Sequence, residues 1–115
     1  MMAACSAAPE PLSAPAVGIE AAVRAALADS LTGLALCDQN LLTFHHDRGL
    51  GVEPLARLLG ISAGAVSRQL ARIHARVLRD VRRRLAPRLA ADQLDRVLAI
   101  VQGRLGHAIA CVLRT

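Results

Sequence analysis

The chain has 115 residues, 54% of them hydrophobic and 20% charged, a balance that suits one packed domain. Its only aromatic residue is Phe44, which excludes an aromatic-rich sandwich and any module that stacks unpaired bases on several rings. All 14 basic residues are Arg, the formal charge is +5, and no apolar run approaches the roughly 18 residues of a membrane span.

Residues 1–18 are rich in Ala, Pro and Ser, show no period and read as a flexible arm. Pro9, Pro11 and Pro15 interrupt the apolar residues there and no basic leader precedes them, so no signal peptide is expected. The helical period then takes over. Ile19, Val23, Ala26, Leu27 and Leu31 recur at three- and four-residue steps and predict a helix over 19–31, interrupted at Thr32-Gly33. Asp38 is the expected N-cap of a short helix carrying Leu41, Leu42 and His45 and stopping near Gly49. Gly51 opens the next helix, with Pro54 tolerated in its first turn; it carries Leu55, Leu58 and Leu59 and ends at Gly60. Ser62 caps a long helix with Val66, Leu70, Ile73, Val77, Val81 and Leu85 on one face, ended or kinked by Pro87. A last helix is expected over 91–113, with Leu94, Leu98, Val101, Leu105, Ile109 and Val112 inward. Nothing alternates with period two, so the expected fold is all-α, with about five helices and one helical domain over 19–115.

The segment VEPLARLLGISAGAVSRQLA, residues 52–71, has the spacing of a helix-turn-helix. Ala56 is small at the fifth position, where two crossing helices approach closely. Gly60 stands at the ninth, where a tight corner needs a positive φ. Leu55, Leu59, Ile61, Val66 and Leu70 are the expected inner face. The pattern alone also suits an ordinary αα-corner, and charge separates the two. Between Arg57 and Arg88 there are nine Arg and one acid, Asp80, whereas the rest of the chain holds five Arg and eight acids. Arg68, Arg72, Arg76, Arg79 and Arg83 step by three and four residues and form a stripe along the long helix. A solvated helix face usually interleaves acids for intrahelical pairs. This one does not, so a polyanion is the natural partner.

In a helix-turn-helix the start of the second helix enters the major groove. The outward positions there are Ser62, Ala63, Gly64, Ser67, Arg68, Ala71 and Arg72. Arg68 is the candidate for a bidentate guanine contact, worth about 1–3 kcal/mol of discrimination, and Ser67 is within reach of a base edge or a phosphate. Ala63 and Gly64 have little to donate. Base readout is therefore thin, and contacts to the DNA backbone from Arg57, Arg72 and Arg76 carry most of the expected affinity.

The run DQNLLTFHHDRGLGVEPLARLLGISAGAVSRQLARIHARVLRDVRRRL resembles the C-terminal promoter-binding domain (region four) of bacterial sigma factors, and most of all the extracytoplasmic-function type of myxobacteria and their relatives. The matching features are Leu41-Leu42 leading to Gly49-Leu50, the corner glycine Gly60, and Val66, Arg68, Leu70 and Arg72 on the second helix. A trailing basic helix over 76–88 and an amphipathic C-terminal helix complete a likeness over about 38–113, and the helix at 19–31 fits the one that precedes it in the family. The likeness implies cytoplasmic recognition of the upstream (minus-thirty-five) promoter element in double-stranded DNA, with contact to core RNA polymerase or an anti-sigma protein. Ala63 departs from the polar reader common in the family, and Gln69 from a common aromatic. The core-binding and promoter-melting domain is not in this chain, which on its own is not expected to open a promoter. Two other readings stand beside this one: a free-standing helix-turn-helix regulator, which would need a dimer to read two half-sites, and a helical module whose Arg stripe binds an acidic protein.

No enzyme, cofactor or membrane role is expected. The chain has no recognisable nucleophile–base pairing, phosphate-cradling glycine loop or paired carboxylates. His45 and His46 are adjacent, so on a helix their side chains diverge by about 100° and do not readily share a metal. His74 is expected to meet solvent or phosphate, and His107 to lie at the surface. Cys5, Cys37 and Cys111 are widely spaced and odd in number, the pattern of idle or buried thiols in a reducing compartment. Gly103 and Gly106 weaken the last helix by about 1 kcal/mol each relative to Ala. Close packing offsets such a cost, either back onto the motif or in a dimer or polymerase contact.

Overall fold

A computed structural model describes the backbone of residues 15–114 and the side chains of 18–114. Its regular structure is entirely helical: α1 (Pro15–Thr32), α2 (Leu36–Leu42), a π-turn (Thr43–Asp47), α3 (Val52–Leu59), α4 (Ala63–Leu85), α5 (Ala91–Gly103) and α6 (Leu105–Leu113). The all-α expectation holds. The arm expected over 1–18 falls largely outside the described residues, and from Pro15 onward the chain is already helical.

One core runs through the described chain. Leu27, Leu42, Leu55, Val66, Val77, Val81, Leu85 and Ile109 are almost wholly removed from solvent, each worth about 1.5–3 kcal/mol relative to exposure. The long helix behaves as its periodicity predicts, with Val66, Leu70, Ile73, Val77, Val81 and Leu85 all buried. It packs against α1, α3 and α5. The buried Ser30 hydroxyl of α1 hydrogen-bonds the Asp80 carboxylate of α4, so the polar group inside this contact is satisfied. Gln39 joins α1 to α2, its amide donating to the Leu34 and Thr32 carbonyls at 3.0 and 3.2 Å.

Several boundaries differ from the sequence expectation. Asp38 is not the cap of α2. Ala35 holds that position, and Asp38 lies in the first turn, where its charge still complements the helix dipole. The helix then widens into the π-turn, closed by Arg48 N–H donating to the Thr43 carbonyl at 3.0 Å. The single helix expected over 91–113 is two. Arg104 leaves helical geometry (φ −127°, ψ 28°), and α6 turns 81° away from α5. That bend lets α6 pack on both α1 and the π-turn, and Leu94, Val101, Leu105 and Ile109 are buried as expected. No single helix among the described residues is long and apolar enough to cross a membrane.

Candidate nucleic-acid interface

The corner between α3 and α4 has the local chemistry its sequence predicts. Gly51 precedes α3, and Pro54 falls in the first turn, where its missing N–H costs nothing. Gly60 ends the helix in the left-handed region at φ +72°. Its N–H and that of Ile61 both donate to the Ala56 carbonyl, at 2.9 and 3.1 Å. Ser62 Oγ then accepts from Ala65 N–H at 3.1 Å and caps α4. Ala56 is buried at the crossing beside Leu55, and Val66 and Leu70 are buried on the α4 side.

The apolar face of the motif is narrower than expected. Leu59 and Ile61 were assigned inward, yet they are 49% and 41% exposed, and Leu58 is 61% exposed. Among the described elements only α4 and the π-turn pack closely on α3. They cover the stripe at Leu55 and Ala56 and leave the last residues of the helix and the turn uncovered.

Of the predicted contact residues, Arg57, Ser62, Gly64, Ser67, Arg68, Arg72 and Arg76 are exposed, as is Ala71. Ala63 is a correction: it was expected to face outward, but it is half-buried and packs against the core. The Arg68 guanidinium lies over the first turn of α4, 3.4 Å from the point a Gly64 Cβ would occupy, an ordinary contact distance.

The Arg stripe divides into two parts. Arg68, Arg72, Arg76 and Arg79 are exposed and form no ion pair among the described residues. Arg83 is bound to Asp80, and so is Arg84, whose Nε lies 2.8 Å from the carboxylate. The hydrogen bond from Arg84 is the main reason the Asp80 carboxyl is held below its ordinary range. Arg82 pairs with Asp95 of α5 at 3.0 Å. The unneutralised charge of α4 is thus concentrated on its first three-quarters, next to the corner, and Arg82, Arg83 and Arg84 serve local pairing.

No family model, curated protein or solved structure matches this chain.

The histidines are where sequence reasoning missed most. His74 was expected to meet solvent or phosphate. It is half-buried instead, its Nε2 2.9 Å from His46 Nε2. His45 packs edge-on to His46, with ring centroids 4.7 Å apart. Its Nδ1 donates to the Leu50 carbonyl at 2.8 Å and so ties the π-turn to the entry of α3. Burial, followed by the fields of His45 and His74, pushes His46 down to about 4. Burial and His45 lower His74 as well. The sequence signal for this pairing was weak: His74 lies next to Ile73 at the edge of the apolar stripe. No group of three or more His, Cys, Asp or Glu residues among those described is arranged to hold a metal ion. His107 is exposed, as expected, and its Nε2 lies 3.5 Å from Cys111 Sγ. Cys37 is exposed and Cys111 half-buried.

Proposed function

We propose that this chain is a helix-turn-helix module that binds double-stranded DNA in transcription initiation, acting in the cytoplasm as a sigma region-four domain does. One observation carries the reading. A tight glycine corner presents the capped start of α4 to solvent, and from that start run four exposed, acid-free Arg: 68, 72, 76 and 79. Like charges at three- and four-residue spacing repel along a helix, and phosphates relieve that repulsion. The second turn of α4 offers Ser67 and Arg68 to base edges, and Arg57, Arg72 and Arg76 extend the contact to the backbone.

Anisotropy of a labelled duplex, titrated across salt concentrations, tests it. Neutralising about four phosphates gives a log–log slope of about −3.6. Arg68→Ala should flatten preference between sequences, while Arg76→Ala should weaken all duplexes alike. Failure to bind duplex DNA at low ionic strength sinks the proposal.

The exposed Leu58, Leu59 and Ile61 beside Arg57 favour a second reading, in which this corner also meets a protein with an apolar patch ringed by acids, as a core polymerase or anti-sigma surface would be. Binding of such a protein with no binding of duplex DNA would put that reading first. A stable dimer in a sizing measurement would favour a free-standing regulator instead.

A further inference from the structure

A groove lies away from α3 and α4. It runs between α1 and the α5–α6 elbow and has a volume of about 530 Å³, within the range of small-molecule sites, about 300–1,000 Å³. Its walls are aliphatic: Ile19, Val23 and Leu27 on one side, Val97, Val101 and Val112 on the other. No Phe, Tyr or Trp lines it; the His107 imidazole is its one ring, and Cys111 lies beside it. Arg24 and Arg104 also line it, are exposed, and make no ion pair among the described residues. Glu20 is the single acid there.

We infer that this groove binds a free long-chain fatty acid, with the hydrocarbon along the aliphatic walls and the carboxylate held by Arg24 and Arg104. The ligand that fits best is apolar along its length and anionic at one end, because the predominantly aliphatic walls supply dispersion contacts and the guanidiniums of Arg24 and Arg104, which form no ion pair among the described residues, supply charge-assisted, bidentate-capable donors. The site shares no lining residue with α3 or α4, so it is independent of DNA contact.

The test titrates the full chain with cis-parinaric acid, a ring-free fluorescent fatty acid, below its micelle concentration and then displaces the probe with decanoate, dodecanoate, tetradecanoate and hexadecanoate. Expected are saturable one-to-one binding and a gain of up to about fourfold in affinity per added methylene. The corresponding alcohols should bind more weakly. Arg24→Glu should weaken binding about tenfold or more, and Ile100→Asp, at an exposed lining residue, should also weaken it. Both variants change exposed side chains, and circular dichroism would confirm that they keep their helices. Arg76→Glu on α4 should change nothing. The inference is overturned by lack of saturation, by alcohols binding as well as acids, or by wild-type affinity in folded Arg24→Glu. It is equally overturned if only anionic phospholipid vesicles bind, or if an acidic amphipathic peptide binds at the groove and fatty acids do not displace it.

Discussion

His46 of the π-turn and His74 of α4 meet Nε2 to Nε2 at 2.9 Å, joining the segment that precedes the motif to the middle of its second helix. One ring must donate and the other accept, so the contact needs at least one neutral imidazole. A proton on each would set two cations together. Gly106 of α6 closes the other side of His46, and Asp47 in the same turn pairs with Arg114 at 3.1 Å. Three elements therefore converge on one neutral pair.

The pair predicts how stability follows pH. Both folded pKa values lie below the ordinary 6.5, so as pH falls the unfolded chain binds protons first. Stability should be level above about pH 6.5 and decline from there to about pH 4, where folded His46 itself protonates. Asp80 acts in a lower window, because its depressed carboxyl favours the folded state until pH drops below the ordinary 3.8. Urea midpoints measured from pH 8 to pH 4 check this. In His46→Asn the decline should shrink but persist in part, because burial and His45 still lower His74; in His46→Asn with His74→Asn it should largely vanish, and an unchanged decline there would show that other groups cause it.

Gly60 and Ser62 should each support the corner by backbone geometry alone. A Cβ at Gly60 meets nothing within 4 Å, so Gly60→Ala should cost about 1–2 kcal/mol purely from the left-handed φ. Gly60→Asn should cost less, because Asn tolerates that region better. Ser62→Ala removes the acceptor for Ala65 N–H and should cost about 1 kcal/mol. Chemical denaturation reads all three, and equal losses for Ala and Asn at position 60 would contradict the conformational explanation.

The two glycines near the elbow should respond with opposite signs. Nothing lies within 4 Å of a Cβ at Gly103, so Gly103→Ala should gain up to about 1 kcal/mol from helix propensity. At Gly106 a Cβ would stand 3.2 Å from His46 Cε1 and Nδ1, and His74 blocks the ring's retreat. Gly106→Ala should therefore lose about 1–3 kcal/mol. Placed on a His46→Ala background it should turn neutral or stabilising, a coupling that a double-mutant cycle measures.

Asp80 should limit the DNA affinity of α4. Because Asp80 already holds Arg83 and Arg84, Arg83→Ala should weaken duplex binding less than Arg76→Ala. Asp80→Asn releases Arg83 and leaves Arg84 only its 3.9 Å pair with Asp29, and should steepen the log–log salt slope by about 1–2. Equal losses for Arg76→Ala and Arg83→Ala in a salt titration would show that the pairing does not survive on DNA.

Local chemistry was legible from the residues themselves. The helical period, the Gly60 corner, the Ser62 cap and the buried stripe from Val66 to Leu85 depend on neighbours within about one helical turn, and such short-range preferences survive in any compact arrangement. The Arg row was equally legible, because residue spacing along a helix sets the face they share. What the chain order could not reveal was which partner each face would meet. Leu59 continues the stripe of Leu55 but ends beyond the cover of α4 and the π-turn. His74 sits beside the apolar stripe and finds His46 twenty-eight positions earlier. Arg104 breaks a helix whose period runs unbroken through it, and the bend brings α6 against α1 and the π-turn. Burial and pKa depend on what lies across the contact, and only the tertiary packing supplies that.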